Sequence, residues 1–312
     1  MLALGVTPVG ILSRRFRQLT GMTPREYARS VHQRREVQDW TGHRVQIPLQ
    51  PKRILYYGET VGDFLALGVR PVGANVRLLQ NSWMREAVRE IEDIGIPLDP
   101  RKAASLEPDL IIFSSSDERQ YEQLAKIAPT LTYDTFAPLE QRLQNLGEWL
   151  GKQSEANLWM AEYSSRLTIM WQQMKEQIRP GETATVFLYH RGRRLFVMGT
   201  SGLAGLLYYP SGFGAREAVR QMPDAGEPYR EIGEADLPLY AGDRLFVLMP
   251  DMRPSNQATR ELMRSKVWKQ LSAVQKGKVH VLEEAKWNLV DACTRERQIR
   301  LLPGLLGEAA SR

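Results

Sequence analysis

The sequence has little cysteine and no long apolar run. Cys293 is the single cysteine among 312 residues, which excludes an internal disulfide framework. No stretch approaches the roughly 18–20 consecutive apolar residues that a membrane-spanning helix needs. The apolar start, MLALGVTPVGIL, lacks the basic segment and the small-residue cleavage site of a signal peptide. We therefore expect a soluble, cytoplasmic protein that does not contact a membrane.

Motifs for nucleotide binding, metal ligation and nucleophilic catalysis are also missing. The segment GTSGLAGLL, 199–207, lacks the Lys-Ser/Thr ending of a phosphate loop, and we interpret it as a strand-to-helix turn. No G-x-S-x-G elbow is present. His280 lies in an apolar strand and is predicted to be structural. The other histidines are scattered, without the spacing of a metal site: His32, His43 and His190. The sequence predicts no enzyme activity, no metal ligand and no covalent cofactor.

The positive charge of the chain is concentrated at its start. Residues 1–35 carry seven arginines and one acidic residue, and the remaining 277 residues carry 35 basic and 35 acidic residues. A phosphate-binding role therefore applies to residues 1–35 and not to the rest of the chain as a whole. A solvated basic helix face is the alternative for this segment.

The pattern of apolar residues divides the chain into four parts. Helices are predicted over 7–19 and from Thr23 to about Arg35, and residues 1–35 form a short all-α segment. Strand and helix then alternate through 36–153, and the alternation starts again in 181–312. One long helix is predicted in the connecting segment, 154–180. The expected fold class is α/β, with two Rossmann-like lobes joined by a long helix.

Polar and aromatic side chains follow the predicted strands, where a cleft between two lobes opens. The candidate ligand-binding residues are Tyr57, Glu59, Arg77, Ser115 and Ser116 of the first lobe and Tyr189, His190, Arg191, Arg193, Thr200, Ser201, Lys286 and Trp287 of the second. Arginine, tyrosine and tryptophan could hold an anionic aromatic ligand by charge-assisted hydrogen bonds and stacking. The alternatives are an exposed basic hairpin around Arg191 and packing of Trp287 against the final helix.

Two families are similar to parts of this sequence. The segment LGVTPVGILSRRFRQLTGMTPREYARSVHQRR resembles the closing part of an AraC/XylS-type helix-turn-helix domain, with its basic-Phe pattern and Thr-Gly-Met-Thr-Pro. The resemblance implies DNA contacts, and covers about one third of that domain. The DNA-binding candidates are Ser13, Arg14, Arg15, Arg17 and Arg25. DNA is an expected partner if the helix-turn-helix domain is complete.

The rest of the chain, 36–312, resembles the class III periplasmic-binding-protein fold. The similar segments are PKRILYYGETVGDFLALGVRPVGA, LEPDLIIFSSS, the long helix and VWKQLSAVQKGKVHVLEEAKWN. That family binds siderophores, haem and cobalamin. The order of the two parts along the chain resembles that in cytosolic regulators, which fuse an AraC-type domain to a siderophore-binding-like domain.

The two resemblances imply a cytosolic transcriptional regulator, or a fragment of one, that senses a ferric siderophore in the interlobe cleft and controls uptake genes. The siderophore would hold the iron. A stand-alone cytosolic siderophore-binding protein without DNA-binding activity is the alternative. A catecholate could be held by Arg77, Arg191, Arg193 and Lys286, but the balanced charge of 36–312 leaves a hydroxamate or citrate-type siderophore open.

Overall fold

A computed structural model describes Arg15, Thr23 and residues 33–308. Most of the predicted N-terminal helices, and the DNA-contact candidates Ser13, Arg14, Arg17 and Arg25, lie outside the described residues. Arg34 and Arg35 are not helical. They begin a strand, so the boundary predicted between residues 35 and 36 falls inside that strand.

A β-hairpin precedes the first lobe. Strand β1 (Arg34–Gln38) pairs antiparallel with β2 (Arg44–Pro48), and Val37 and Ile47 point into the first-lobe core. The buried carboxylate of Asp39 accepts hydrogen bonds from the backbone N–H groups of His43 (2.8 Å) and Thr132 (2.8 Å). The hairpin is thereby fixed to an edge strand of the lobe.

The first lobe has a parallel sheet. Its strands are β3 (Ile54–Tyr57), β4 (Gly73–Ala74), β5 (Glu92–Asp93), β6 (Leu110–Phe113) and β7 (Thr130–Thr132), in the order β5-β4-β3-β6-β7. The helices around it are α1 (Val61–Ala66), α2 (Pro100–Ser105), α3 (Glu118–Ala125) and α4 (Leu139–Leu150), with a 3-10 turn at Val76–Leu79. The central strands β3 and β6 are apolar on both faces because helices cover both sides of the sheet.

The second lobe has a mixed sheet. Its strands are β8 (Ala184–His190), β9 (Arg194–Met198), β10 (Tyr229–Ile232), β11 (Arg244–Met249) and β12 (Val279–Glu283), in the order β10-β9-β8-β11-β12. Strands β8, β11 and β12 are parallel, and β9 and β10 pair antiparallel at one edge. Helix α5 (Gln153–Met174) lies between the two lobes. The helices of the second lobe are α6 (Ala204–Leu207), α7 (Glu217–Arg220), α8 (Leu237–Tyr240), α9 (Arg253–Arg264), α10 (Lys266–Lys269), α11 (Ser272–Gln275), α12 (Glu284–Trp287) and α13 (Ala292–Glu308).

Helix α5 joins the two lobes. Ala156, near its start, is buried in the first-lobe core, whereas Met170, Trp171 and Met174, near its end, are buried in the second. Helix α13 spans both cores in the same way, since Ala292 packs in the first and Leu302 in the second. The predicted architecture of two α/β lobes and a long helix is confirmed. In the part of the chain that the structure describes, no helix is long and apolar enough to cross a membrane.

His280 makes the free energy of unfolding depend on pH in the acid range. Its ring is buried and stacks on Phe246 with centroids 4.9 Å apart. Burial, with a smaller contribution from the Arg244 guanidinium, lowers the pKa of His280 from 6.5 to about 4. Between pH 6.5 and about pH 4, His280 is therefore protonated in the unfolded chain but neutral in the folded chain. The free energy of unfolding falls as the pH drops through this range.

We expect the free energy of unfolding to fall by about 2–3 kcal/mol between pH 7.5 and pH 4.5 through this group. His280→Phe keeps a ring on Phe246 and removes the titration, so its stability should decrease less over the same interval. Urea unfolding of both proteins at the two pH values measures the difference. Equal losses in the two proteins would contradict this assignment.

Candidate functional site

A cavity of about 450 Å³ lies between the lobes, at the carboxyl ends of the parallel strands. The first lobe contributes Gly58, Glu59 and Thr60 after β3, Leu78 and Leu79 in the 3-10 turn, and Thr135 and Phe136 after β7. The second lobe contributes residues of β8 and β9, Ser201, Tyr229, Asp251 and Met252, and residues of the segment 284–290. Strand ends of both sheets thus face one cleft, as expected for open α/β sheets.

Aromatic rings form one wall of this cleft and connect the lobes. Phe136 of the first lobe lies 6.4 Å from Tyr229 of the second, measured between ring centroids. Tyr229 in turn meets Phe196 edge to face at 5.7 Å. Phe136 is 62% exposed and Met252 is 70% exposed, which is unusual for large apolar side chains in a concave site. Such a surface suits a ligand that covers it.

The charged groups in the cleft differ in whether they have a partner. His190 Nδ1 lies 3.3 Å from Glu284 Oε1, and Asn81 Nδ2 donates a 2.8 Å hydrogen bond to Asp251 Oδ2 from across the cleft. Arg194 pairs with Glu231. Arg191 and Glu59 form no ion pair with any of the residues that the structure describes. Arg191 adopts a left-handed backbone conformation, φ 48°, at the turn between β8 and β9.

Strand alternation decides which residues of β8 and β9 face the cleft. Leu188 and His190 line the cavity, and Tyr189 between them points to the opposite face, where it is buried. The Tyr189 hydroxyl donates a 2.6 Å hydrogen bond to Glu234. Burial, and then the carboxylate of Glu234, raise the pKa of this hydroxyl. Tyr189 is therefore part of the second-lobe core.

Four of the predicted site residues line the cavity: Glu59, His190, Arg191 and Ser201. Tyr57 stacks on Phe113 with centroids 5.8 Å apart and packs with a core cluster of the first lobe. Trp287 is buried and meets Trp83 of the first lobe edge to face at 5.2 Å. These two aromatic residues support the walls of the cleft and are not among its lining residues.

The remaining predicted residues lie outside the cavity lining. Arg77 Nε lies 2.8 Å from Asp93 Oδ2, Lys286 Nζ lies 2.7 Å from Glu283 Oε1, and Arg193 pairs with Glu261. Three of the four cations predicted to hold a catecholate are therefore engaged by acidic side chains. Ser115 accepts a hydrogen bond from the N–H of Asp117, and Ser116 and Thr200 are exposed.

Sequence reasoning missed several residues of the cleft. Alternation along β9 identifies Arg194, Phe196 and Met198 as one face of a strand, and this signal was available in the sequence. Phe136 follows a strand end and could have been found in the same way as Glu59. Asp251 follows β11 and carries the same signal. Tyr229 and Asn288 carry no local pattern that distinguishes them from surface residues.

The described residues contain no group of three or more histidine, cysteine, aspartate or glutamate side chains that could hold a metal ion. The site offers aromatic walls, two arginines and hydrogen-bonding groups.

Two α/β lobes with a ligand-sized cleft at their strand ends, joined by one long helix, define a binding protein of the two-lobed class. The chain belongs to the periplasmic binding protein family, whose model matches residues 56–285.

Several curated proteins are similar to this chain. It is 27% identical over 264 residues to the iron(3+)-hydroxamate-binding protein FhuD of Bacillus subtilis, which covers 83% of this chain and 82% of that protein. It is 24% identical over 256 residues to the achromobactin-binding periplasmic protein of Dickeya dadantii, covering 77% of this chain and 81% of that protein. Both relatives are named as binding proteins.

Solved structures have the same fold. SirA of Staphylococcus aureus, complexed with staphyloferrin B, superposes with a TM-score of 0.77 at 25% identity and covers 88% of this chain and 98% of SirA. FhuD2 of the same organism, with bound ferrioxamine B, superposes with a TM-score of 0.74 at 23% identity over 83% of this chain and 100% of FhuD2. The predicted class III periplasmic-binding-protein fold is confirmed by these superpositions.

The comparisons overturn the predicted regulatory role. The curated relatives include iron(3+)-hydroxamate-binding and achromobactin-binding proteins, and another is named as a putative ABC transporter substrate-binding lipoprotein. Others are named as periplasmic or as a lipoprotein. The predictions of a transcriptional regulator, of AraC-type DNA binding and of a cytoplasmic location are therefore wrong. The resemblance of residues 1–35 is local and does not extend to the matched part of the chain, 56–285.

Phe136 provides a direct test of the cleft. Phe136→Ala should weaken the binding of a ligand that covers the aromatic wall by about tenfold, because an aromatic side chain that a ligand covers contributes about 1–2 kcal/mol. The thermal midpoint should not change, since the ring is exposed. Leu158→Ala is the matched control, because Leu158 is also 62% exposed but lies on helix α5 outside the cavity lining. Fluorescence titration measures both affinities, and an equal effect of the two substitutions would contradict the site.

Proposed function

We propose that this chain binds a ferric siderophore of the hydroxamate class in the interlobe cleft, as the binding component of an iron-siderophore uptake transporter outside the cytoplasm. The observation that carries the ligand class is the charge of the cleft. Its lining contains Glu59, Asp251 and Glu284, against Arg191 and Arg194. Arg194 is already paired with Glu231. The cleft thus presents no excess of positive charge.

The charge of the iron complex discriminates between ligand classes. The hydroxamate groups of a trihydroxamate balance the charge of iron(III), so the complex is neutral at its metal centre, whereas a tris-catecholate complex keeps a large negative charge. A strongly negative ligand close to Glu59 and Glu284 would be repelled in a partly desolvated site. The pairing of Arg77, Arg193 and Lys286 with acidic side chains further reduces the attraction available to a catecholate.

Size and surface chemistry support the same ligand. A cavity of about 450 Å³ is within the range for a small organic ligand. The siderophore would bring its own iron ligands, and the iron is cargo rather than a cofactor of the protein. Phe136, Phe196 and Tyr229 would cover the apolar arms of the siderophore. The guanidinium groups of Arg191 and Arg194 would donate hydrogen bonds to hydroxamate oxygens.

Titration calorimetry against representatives of three ligand classes tests this proposal. We expect ferrioxamine B, a hydroxamate, to bind at micromolar concentration or tighter, and at least about 100-fold more tightly than a ferric tris-catecholate at physiological salt. A ferric carboxylate siderophore such as staphyloferrin B should be intermediate. Tighter binding of the catecholate, or no binding of any hydroxamate, would overturn the proposal.

Neighbouring arginines provide a matched pair of variants. Arg191→Gln should weaken ferrioxamine B binding by about tenfold, which corresponds to the loss of one charge-assisted hydrogen bond. Arg193→Gln should leave the affinity unchanged, because Arg193 lies outside the cavity lining and pairs with Glu261. Equal affinities of the two variants in the same titration would remove Arg191 from the site.

A further inference from the structure

A buried ion pair lies directly behind the cleft. Asp63 of α1 and Arg142 of α4 belong to the first lobe, and Arg142 Nε lies 3.3 Å from Asp63 Oδ2. The two side chains are 0% and 2% exposed, respectively. Tyr133 donates a hydrogen bond of 3.2 Å to the same carboxylate. Neither Asp63 nor Arg142 is among the residues that line the cavity.

Both members of this pair bind backbone groups of the segment that leads from the second lobe into α13. Arg142 Nη2 donates a 2.7 Å hydrogen bond to the carbonyl oxygen of Val290. Asp63 Oδ1 accepts a 2.7 Å hydrogen bond from the N–H of Ala292, the first residue of α13. The side chain of Asp291 between them lies so close to Gly62 that a β-carbon there would come within 1.8 Å of Asp291 Oδ1. The segment 290–292 is thereby held against helix α1.

The held segment continues into the site. Asn288 and Leu289 line the cavity immediately before the held residues, and Val290 both lines the cavity and binds Arg142. On the other side, the lining residues Gly58, Glu59 and Thr60 immediately precede α1, which carries Asp63. The pair therefore lies between the two halves of the cleft and connects one lining segment to the other.

The energetics of burial indicate why charged residues occupy this position. Burying a carboxylate and a guanidinium costs several kcal/mol, and an apolar pair of the same volume is often as stable. A charged pair, however, has directional hydrogen bonds that fix two backbone groups at defined positions. The ion pair therefore fixes the positions of the Val290 carbonyl and the Ala292 N–H more than it stabilises the fold.

We infer that Asp63 and Arg142 are positioning residues for ligand binding, which fix the segment 288–290 against the first lobe and so set the width of the cleft. They act through this segment and do not touch the ligand. The inference rests on the proposed siderophore binding.

A second buried pair provides a matched control. Arg244 and Glu182 are 7% and 0% exposed, with Arg244 Nη2 3.1 Å from Glu182 Oε1, but both belong to the second lobe and lie outside the cleft lining. Arg142→Met and Arg244→Met each remove the arginine from a buried carboxylate, so both should lose stability. The loss should be smaller in Arg244→Met, because Lys278 Nζ stays 2.9 Å from Glu182 Oε1. Arg142→Met should also weaken ferrioxamine B binding at least about tenfold, whereas Arg244→Met should change it less than about twofold. Calorimetric titration at a temperature where near-ultraviolet circular dichroism shows both proteins folded measures this contrast.

Asp63→Asn adds a conservative variant. Asparagine retains an oxygen that can accept the Ala292 N–H bond but loses the charge, so its affinity should lie between those of the wild type and Arg142→Met. Hydrogen exchange should show faster exchange of 288–292 in Arg142→Met, while strand β6 stays protected. Wild-type affinity in Arg142→Met despite this faster exchange would overturn the inference, and so would an equal loss of affinity in Arg244→Met.

Hydrogen exchange of the wild type keeps the inference testable if the variants do not fold. Without ligand, the N–H of Ala292 should be protected as strongly as the central strands. Rapid exchange there would show that the hydrogen bond from Ala292 N–H to Asp63 opens readily, and this result would overturn the positioning role. Failure of the wild type to bind any ferric siderophore would instead refute the proposed function, and the exchange of Ala292 would still report whether the lobes are fixed.

Discussion

The structure depends on helices that are buried in two hydrophobic cores at once. Helix α5 packs into the first lobe at Ala156 and into the second at Trp171 and Met174. Helix α13 likewise packs into the first core at Ala292 and into the second at Leu302. Separating the lobes would expose apolar side chains of both cores, so the relative motion of the lobes is restricted. The strand ends of the two sheets consequently face each other across a cleft of nearly fixed width, and the Asp63–Arg142 pair refines that width at its base.

The electrostatic character of the cleft depends more on which basic side chains have acidic partners than on the number of charged residues. Arginines and lysines are frequent near the strand ends, but acidic partners engage Arg77, Arg193, Arg194 and Lys286. The lining that remains is aromatic, with modest and mixed charge. Such a surface favours a bulky complex of low net charge over a strongly anionic one. The proposed ligand class therefore rests on which charges are paired, a property that composition does not reveal.

The wrong functional prediction has an identifiable origin. Residues 1–35 carry the entire net charge of the chain and resemble part of a DNA-binding domain, but they are a small part of a 312-residue sequence. The family match covers residues 56–285, where the sequence indicates a binding protein without any further assumption. Similarity over a short segment is weaker evidence of function than the geometry of a site built by the whole chain.

The sequence by itself determined the architecture. Alternating strands and helices, the long helix and the position of the strand ends follow from hydrophobic periodicity, which neighbouring residues encode locally. It also placed Glu59, His190, Arg191 and Ser201 at the cleft, because each follows or ends a strand. The tertiary structure alone decided that Phe136 meets Tyr229, that Trp287 is buried on Trp83, and which cations are neutralised. These outcomes join residues far apart in the chain, and only the packing of complete lobes brings such residues together.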